Sequence, residues 1–266
     1  DQASLSALIS EILPDEIYNF AAQSFVKESF SNPLYTCDVD ALGALRVYEA
    51  VRQVGHGRIY QASSSEMFGN GVSPQNEESS MNPVSPYGVA KLFAHKMAKV
   101  YRDSYGMFIS CGIAFNHESE RRGEEFVTKK ITKAVANIKN GLQDSLYLGD
   151  ISARRDWSYA PDVVNGAWLS LQYPEPKDYV FSSGESHSVK EFLELAFAEF
   201  GLNPDEYVSS GMDEFKRPTE VVELIGDSHK AYEILGWVPE VKFKDIVKRM
   251  VSYDLSRTLN SHSVQV

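Results

Sequence analysis

Apolar positions in the first 116 residues switch repeatedly between helical and strand spacing. Leu5–Leu13 has the pattern of a short amphipathic helix closed by Pro14, and Glu16–Ala22 (EIYNFAA) that of a short buried strand. Val39–Val54 places Leu42, Leu45, Val47, Tyr48 and Val51 on one helical face. Arg58–Ala62 is a second strand, Pro86–Tyr105 a long helix and Phe108–Phe115 a third strand. Strands that alternate with helices predict an α/β fold, a doubly wound parallel sheet with helices on both faces. Ligands of such sheets bind at the carboxyl ends of the strands, and Gln23, Ser64, Glu66 and Asn116 all follow such ends.

Beyond residue 116 the alternation is less regular. A helix is predicted over Val127–Asn140, with short strands at Ser145–Leu148 and Tyr179–Phe181. A further helix at Val189–Phe200 ends at Gly201, and Asp227–Leu235 is helical up to the break Gly236-Trp237-Val238-Pro239. Phe243–Leu255 is the last helix, and 256–266 reads as a frayed tail. The expected division is therefore 1–116, a partial dinucleotide-binding domain, and 117–255, a smaller mixed α/β region for substrate that returns some elements to the first.

Composition narrows the function. A chain of 266 residues with 43% hydrophobic and 24% charged residues is an ordinary globular protein. A net charge of −11 argues against nucleic acid or an anionic membrane as partner, so an anionic substrate needs a local cluster of cations. Cys37 and Cys111 form no metal-ligand pattern and read as free thiols. No apolar run reaches the ~20 residues of a membrane span, and the first residues lack signal-peptide character, so a cytoplasmic setting and no metal are expected.

The candidate chemistry lies in Ser85-Pro86-Tyr87-Gly88-Val89-Ala90-Lys91 and the preceding Gln61–Glu66 (QASSSE). Ser85 suits an N-cap and Pro86 a first helical residue, so Tyr87 falls in the first turn with Lys91 on the same face. An ammonium there favours the phenolate and makes tyrosine a usable base. Ser64 and Glu66 add a hydrogen-bond partner and a second proton carrier, the equipment for oxidising an alcohol and removing an acidic proton nearby. The spacing alone also fits a surface pair on an ordinary helix. With 14 Tyr and 15 Lys, chance gives roughly 0.8 such matches, and a second does occur at Tyr173 and Lys177, interrupted by Pro174 and Pro176.

A dinucleotide-binding, Rossmann-like fold opens with a strand, a glycine-rich turn and a helix. No such glycine motif occurs in the sequence, and Asp1 stands just before a helix, so the N-terminal strands of the fold are expected to be absent from this chain. The expectation is a fragment, with an apolar sheet edge, that binds a dinucleotide weakly.

Ile17–Ser24 (IYNFAAQS), Gln61–Gly69 (QASSSEMFG), Ser85–Lys91 (SPYGVAK) and Phe115–Ser119 (FNHES) form one set of motifs. Arg121-Arg122-Gly123, Phe126–Ile131 (FVTKKI), Arg155-Asp156-Trp157 and Arg217–Val221 (RPTEV) complete it. Together they resemble the GDP-mannose 4,6-dehydratases, a family of extended short-chain dehydrogenases/reductases. The similarity runs from Asp1 to about Leu255, and the FNHES, RRG and FVTKKI series is far more specific than the Tyr–Lys spacing. The resemblance implies a hydro-lyase that uses NADP to convert GDP-mannose to GDP-4-keto-6-deoxy-mannose, a step towards GDP-fucose, as a homo-oligomer. It implies Tyr87 as base, Lys91 as its partner and a ribose contact, and Glu66 as the residue that takes the C5 proton and helps water leave C6. Ser64 stands where many members carry Thr and keeps the hydroxyl. Ala21, Ala22, Gln23, Tyr35, His117 and Arg122 would line the NADP site. Asn116, Val127, Lys130, Arg155, Arg217 and Glu220 would hold the GDP part.

Plainer roles exist for these residues. Arg155 and Arg217 also suit surface salt bridges, His117 a hydrogen-bonded core position, Glu66 a loop cap and Gln23 a backbone partner within its loop; Lys129 and Lys130 both suit solvated positions. Two other functions compete. A reductase or epimerase of the same superfamily does not need a glutamate at position 66. A non-catalytic subunit fits the missing glycine loop but not the intact Ser64–Glu66–Tyr87–Lys91 set.

Overall fold

The computed structural model describes residues 1–215, 217–221 and 223–263. Helix α1 (Gln2–Ile12) starts earlier than its apolar pattern, because the Asp1 carboxylate caps it by accepting from Ser4 N at 2.8 Å. Strand β1 (Glu16–Asn19) ends three residues before Ala22. Two short helices absent from the sequence expectation follow, α2 (Val26–Ser31) and α3 (Pro33–Cys37). A π-helical turn at Asp38–Leu42 then leads into α4 (Gly43–Val54). Apolar spacing continues through this turn, so the sequence shows one helix from Val39 where the backbone has two kinds.

Strand β2 (Arg58–Ser64), helix α5 (Pro86–Tyr105) and strand β3 (Ile109–Ala114) match the expected elements closely. Ser85 accepts from Gly88 N at 3.0 Å, Pro86 opens α5 and Gly106, at φ 64°, closes it. Next come β4 (Asn116–Glu118), α6 (Val127–Lys139), β5 (Leu146–Tyr147), β6 (Arg154–Arg155) and β7 (Trp157–Tyr159). Helix α7 (Ala160–Gln172) was not expected. Gly166 lets α7 cross the sheet so closely that a Cβ would stand 2.5 Å from the Phe181 ring.

Strand β8 (Asp178–Phe181) joins the main sheet, whose order is β1-β2-β3-β8, all parallel. Alternate side chains leave its two faces. Ile59 and Ile109 pack with Tyr48, Ala94 and Ala98 under α1, α4 and α5. Tyr60 and Phe181 pack on the other face with Val163 of α7 and with Trp237. Arg102 fixes the end of α5 to the start of β8 through Asp178, at 2.6 and 3.0 Å. His95 lies 3.7 Å from the same carboxylate, and burial pushes it down to about 4. Cys111 completes a His–Cys–Asp cluster, but the Arg102 guanidinium already supplies the positive charge there.

The remaining elements are β9 (His187–Ser188), α8 (Val189–Ala198), β10 (Val208–Ser209), β11 (Glu223–Leu224), α9 (His229–Leu235) and α10 (Phe243–Ser263). A second core gathers α6, α8 and α10 around Trp157, Phe192 and Phe243, with the Trp157 and Phe243 rings stacked 5.7 Å apart. Lys129 is not solvated: it is buried and paired with Asp254, which also accepts from Thr132 at 2.6 Å, tying α10 to α6. That anchorage carries α10 past the expected end at Leu255; residues 264–266 of the expected tail lie outside the described residues. Cys37 and Cys111 are free thiols, and no described helix is long and apolar enough to cross a membrane.

Candidate active site

Strand β2 delivers Ser64 to the carboxyl edge of the sheet, where its side chain caps a short 3₁₀ turn by accepting from Glu66 N at 3.2 Å. The first turn of α5 presses against that turn. A Cβ on Gly88 would stand 2.7 Å from Glu66 O and 2.9 Å from Pro83 Cβ, so glycine at 88 permits the approach. The approach brings Tyr87 near Ser64, whose hydroxyl favours the phenolate. All four side chains are buried, with exposures of 8% for Ser64, 9% for Glu66, 8% for Tyr87 and 3% for Lys91.

Lys91 Nζ donates to Ala62 O at 3.1 Å and stands 5.7 Å from the centre of the Tyr87 ring. Burial pushes the Tyr87 phenol up; Asp40 and Glu66 add to the rise, while Ser64 and Arg122 oppose it. The phenolate is therefore not favoured in this resting arrangement, contrary to what the Tyr–Lys spacing suggests, because desolvation is the largest influence on the phenol. Burial likewise lowers Lys91, and the Asp40 carboxylate works against that.

The cofactor-side candidates come from the loop after β1, from α3 and from the stretch after β3. Ala21, Ala22 and Gln23 lie in the loop after β1. Gln23 N donates to Asp40 at 2.7 Å, while the Gln23 side chain donates to Thr36 at 3.1 Å and accepts from Phe25 N at 2.7 Å. That side chain thus does the backbone work within its loop that the sequence left open. Tyr35 stands exposed on α3. His117 follows Asn116 on β4; its Nδ1 lies 2.9 Å from Phe115 O, so Nδ1 carries the proton and Nε2 is free to accept. Arg122 pairs with buried Glu118 at 3.2 Å and lies 3.5 Å over the Phe126 ring.

The substrate-side cations form an ion chain. Arg155, itself buried, donates to Glu220 at 2.6 Å. Arg217 stands 3.5 Å from Glu220 and 3.4 Å from Glu66, so the chain ends on the candidate proton carrier. Both arginines do make salt bridges, Arg155 from a buried and Arg217 from a half-buried position, to a Glu220 that is exposed. Val127 opens α6, and Lys130 one turn on lies 4.3 Å over the Phe215 ring. Lys130, Tyr147 and Phe215 line a cleft of about 390 Å³. Tyr173 and Lys177 also meet, at 5.1 Å, but in the loop between α7 and β8, at the amino edge of the sheet.

The arrangement can take a proton from a hydroxyl beside Ser64 and Tyr87 and a second proton at Glu66, next to the two arginines Arg155 and Arg217. A sequence model of the family described as GDP-mannose 4,6 dehydratase matches residues 1–250. The chain belongs to the GDP-mannose 4,6-dehydratase family. It is 52% identical to GDP-mannose 4,6 dehydratase 1 of Arabidopsis thaliana, over 96% of this chain and 72% of that protein. It is 44% identical to GDP-mannose 4,6-dehydratase of Yersinia enterocolitica, over 97% of this chain and 77% of that one. Among solved structures, RMD from Pseudomonas aeruginosa complexed with NADPH superposes with a TM-score of 0.88 at 27% identity, covering 97% of this chain and 86% of that chain.

Three residues of this dehydratase-family site were missed in the sequence. Asp40 hides in the π-turn, and no periodicity marks it. Glu118, inside FNHES, had a readable signal, its place four residues before Arg122. Asp156 lies in the Arg155-Asp156-Trp157 motif and holds two loops together.

Proposed function

We propose that this chain is a hydro-lyase that dehydrates GDP-mannose to GDP-4-keto-6-deoxy-mannose with NADP as cofactor. The observation that carries this reading is the convergence of Ser64, Glu66, Tyr87 and Lys91 at one carboxyl edge, with Glu66 joined to Arg217. The NADPH complex of the Pseudomonas aeruginosa neighbour supports NADP. Lys91, His117 and Arg122 would hold the nicotinamide half; Lys91 makes one hydrogen bond to Ala62, and His117 keeps Nε2 as an acceptor. When bound, this cofactor accepts hydride from C4 of the sugar and returns it at C6.

The chain's own residues move the protons. Ser64 donates to the 4-oxygen while Tyr87 takes the 4-hydroxyl proton. The resulting ketone acidifies the C5 proton. Glu66 takes that proton and passes it to the departing 6-hydroxyl, which leaves as water; a solvent proton relayed by Glu66 then returns to C5. Arg155 and Arg217 exchange Glu220 for the diphosphate oxygens, a bidentate geometry suited to guanidinium groups. Asn116 hydrogen-bonds the sugar-nucleotide, and Val127, Lys130 and the cleft with Phe215 receive the base. The test is incubation of the protein with GDP-mannose and NADP in D₂O. The 4-keto-6-deoxy product carrying deuterium at C5 supports the reading, whereas a 4-epimer or a simple reduced sugar sinks it.

Ser64→Thr is expected to keep activity, because the hydroxyl still caps Glu66 N. Ser64→Ala should slow the chemical step on the order of 10²-fold. Equal rates for the parent and the Ser64→Ala variant in single-turnover measurements would remove Ser64 from the reaction.

We also propose a homo-oligomer. Val89, Phe93 and Val100 form an exposed apolar row along α5, with Leu42 exposed beside it on the π-turn. Phe93→Glu is expected to yield the monomer in sedimentation equilibrium; an unchanged mass would place the interface elsewhere.

A further inference from the structure

Helix α5 carries a buried histidine that the proton movements above do not use. His95, at 4% exposure, lies one turn beyond Lys91 and on the same face. Its Nδ1 stands 3.0 Å from the hydroxyl of Ser63, itself at 5% exposure on β2. Its Nε2 faces the Asp178 carboxylate at 3.7 Å, and Arg102 from the last turn of α5 holds that carboxylate in place. The proton therefore sits on Nε2, and Nδ1 accepts from Ser63 Oγ. Burial keeps the ring neutral at ordinary pH, so this acceptor is not lost to protonation. Three successive turns of α5 are thus fastened to β2 and the turn that follows it. Gly88 abuts Glu66 O, Lys91 Nζ donates to Ala62 O at 3.1 Å, and His95 accepts from Ser63.

The rest of that helix face is smooth. Ala90, Ala94 and Ala98 are almost fully buried, and Ala94 and Ala98 pack with Tyr48, Ile59 and Ile109. Methyl groups let a helix approach a sheet closely but fix its axial position weakly, because a small slide exchanges one set of apolar contacts for another. A buried hydrogen bond is directional, and the same slide leaves its donor and acceptor unpaired away from water. We infer that His95 is a positioning residue for Lys91 and Tyr87: its bond to Ser63 fixes the register of α5 on β2, and with it the placement of both side chains beside Ser64 and Glu66. The inference rests on the reading of Tyr87 and Lys91 as the base and its partner. His95 makes no hydrogen bond to either among the described residues, so it acts through the helix. A misplacement of about 1 Å at a reacting group is enough to cost about 10²-fold in rate.

The test compares Ser63→Ala, His95→Phe and His95→Asn in the full chain. Ser63→Ala removes only the hydroxyl, and His95→Phe replaces the ring by an apolar one. Each is expected to lower kcat per folded chain about tenfold at an unchanged KM for GDP-mannose, since Arg155, Arg217 and the base cleft are untouched. His95→Asn, whose Oδ1 can stand in for Nδ1, is expected to return to within about threefold of the parent. Ser63→Ala and His95→Phe break the same bond, so the double variant should be no slower than the slower single one. Parent kcat in Ser63→Ala, or a double variant in which the two losses multiply, overturns the inference. Should His95→Phe fail to fold, Ser63→Ala and His95→Asn carry the test. A second readout does not depend on turnover. With lysine labelled at ¹³Cε, the Lys91 resonance is assigned by its loss in Lys91→Arg. It is expected to broaden or split in Ser63→Ala, as the ammonium samples more than one position, and to stay single in His95→Asn. An unchanged single line in Ser63→Ala also overturns the inference. The proposed function fails separately: full activity in Tyr87→Phe would sink it, while the Lys91 resonance in the Ser63 and His95 variants does not depend on activity.

Discussion

Glu66→Gln is expected to stop dehydration of GDP-mannose while oxidation at C4 continues. The amide keeps the size of the side chain and an oxygen for Arg217, now 3.4 Å from Oε1, so the ion chain to Glu220 and Arg155 stays in place. The backbone N–H of residue 66 still donates to Ser64, and the contact with Gly88 is a backbone contact. What the variant loses is a base for the C5 proton. General acid–base groups contribute about 10²–10⁴-fold, and here one group serves both proton removal at C5 and proton delivery to the leaving hydroxyl. Turnover should therefore fall towards the upper end of that range. In a single turnover, reduced cofactor should accumulate, detected by its absorbance, with no deuterium entering C5 from D₂O. Dehydration at the wild-type rate would show that another group takes the proton. Loss of C4 oxidation together with dehydration would show that Glu66 supports Tyr87 as well, a coupling their shared electrostatics permits.

Much of this site was legible in the sequence because its parts sit on regular elements with strong local signals. Ser85, Pro86 and Gly106 bound α5 in both readings, and the apolar runs of β2 and β3 locate Ser64 and Asn116. The signals fail where structure is short or set by tertiary contact. Strands β4, β6, β7 and β9 to β11 hold two or three residues each, too few for any periodicity. The π-turn keeps the apolar spacing of a helix while moving Asp40 out of register, so the buried carboxylate there left no trace. The ion chain of Glu66, Arg217, Glu220 and Arg155 joins β2, β6 and the segment before β11, and no local pattern predicts such a pairing. The same holds for the phenol of Tyr87. Spacing places a lysine near it, but only burial decides that the phenol is raised.

Asp156→Asn is expected to destabilise the protein nearly as much as Asp156→Ala, by about 3 kcal/mol or more. The Asp156 carboxylate is fully buried and accepts four hydrogen bonds. Oδ1 takes Ser183 N at 2.7 Å and Ser183 Oγ at 2.6 Å; Oδ2 takes Gly184 N at 2.9 Å and Gly226 N at 3.2 Å. Three of the four donors are backbone N–H groups of the loops after β8 and β11, and the buried Gly226 N–H is left without its acceptor once the carboxylate is gone. Burial pushes the carboxyl up, and those same donors pull it back towards the ionised form. In the asparagine variant Oδ1 still accepts from Ser183. The new amide NH₂ then faces Gly184 N and Gly226 N, donor against donor, so an isosteric change cannot rescue the site. The consequence reaches the chemistry through the chain itself, since Arg155 precedes Asp156 and its strand β6 pairs with β11, where Leu224 lies opposite Arg155. Loosening the two loops frees β11 and with it the segment that carries Arg217 and Glu220. The variant should thus bind GDP more weakly by at least tenfold at temperatures where it is still folded. Urea unfolding of both variants, with GDP binding followed by calorimetry, decides the point. An asparagine variant within about 0.5 kcal/mol of the parent would mean that the loops satisfy their N–H groups without Asp156.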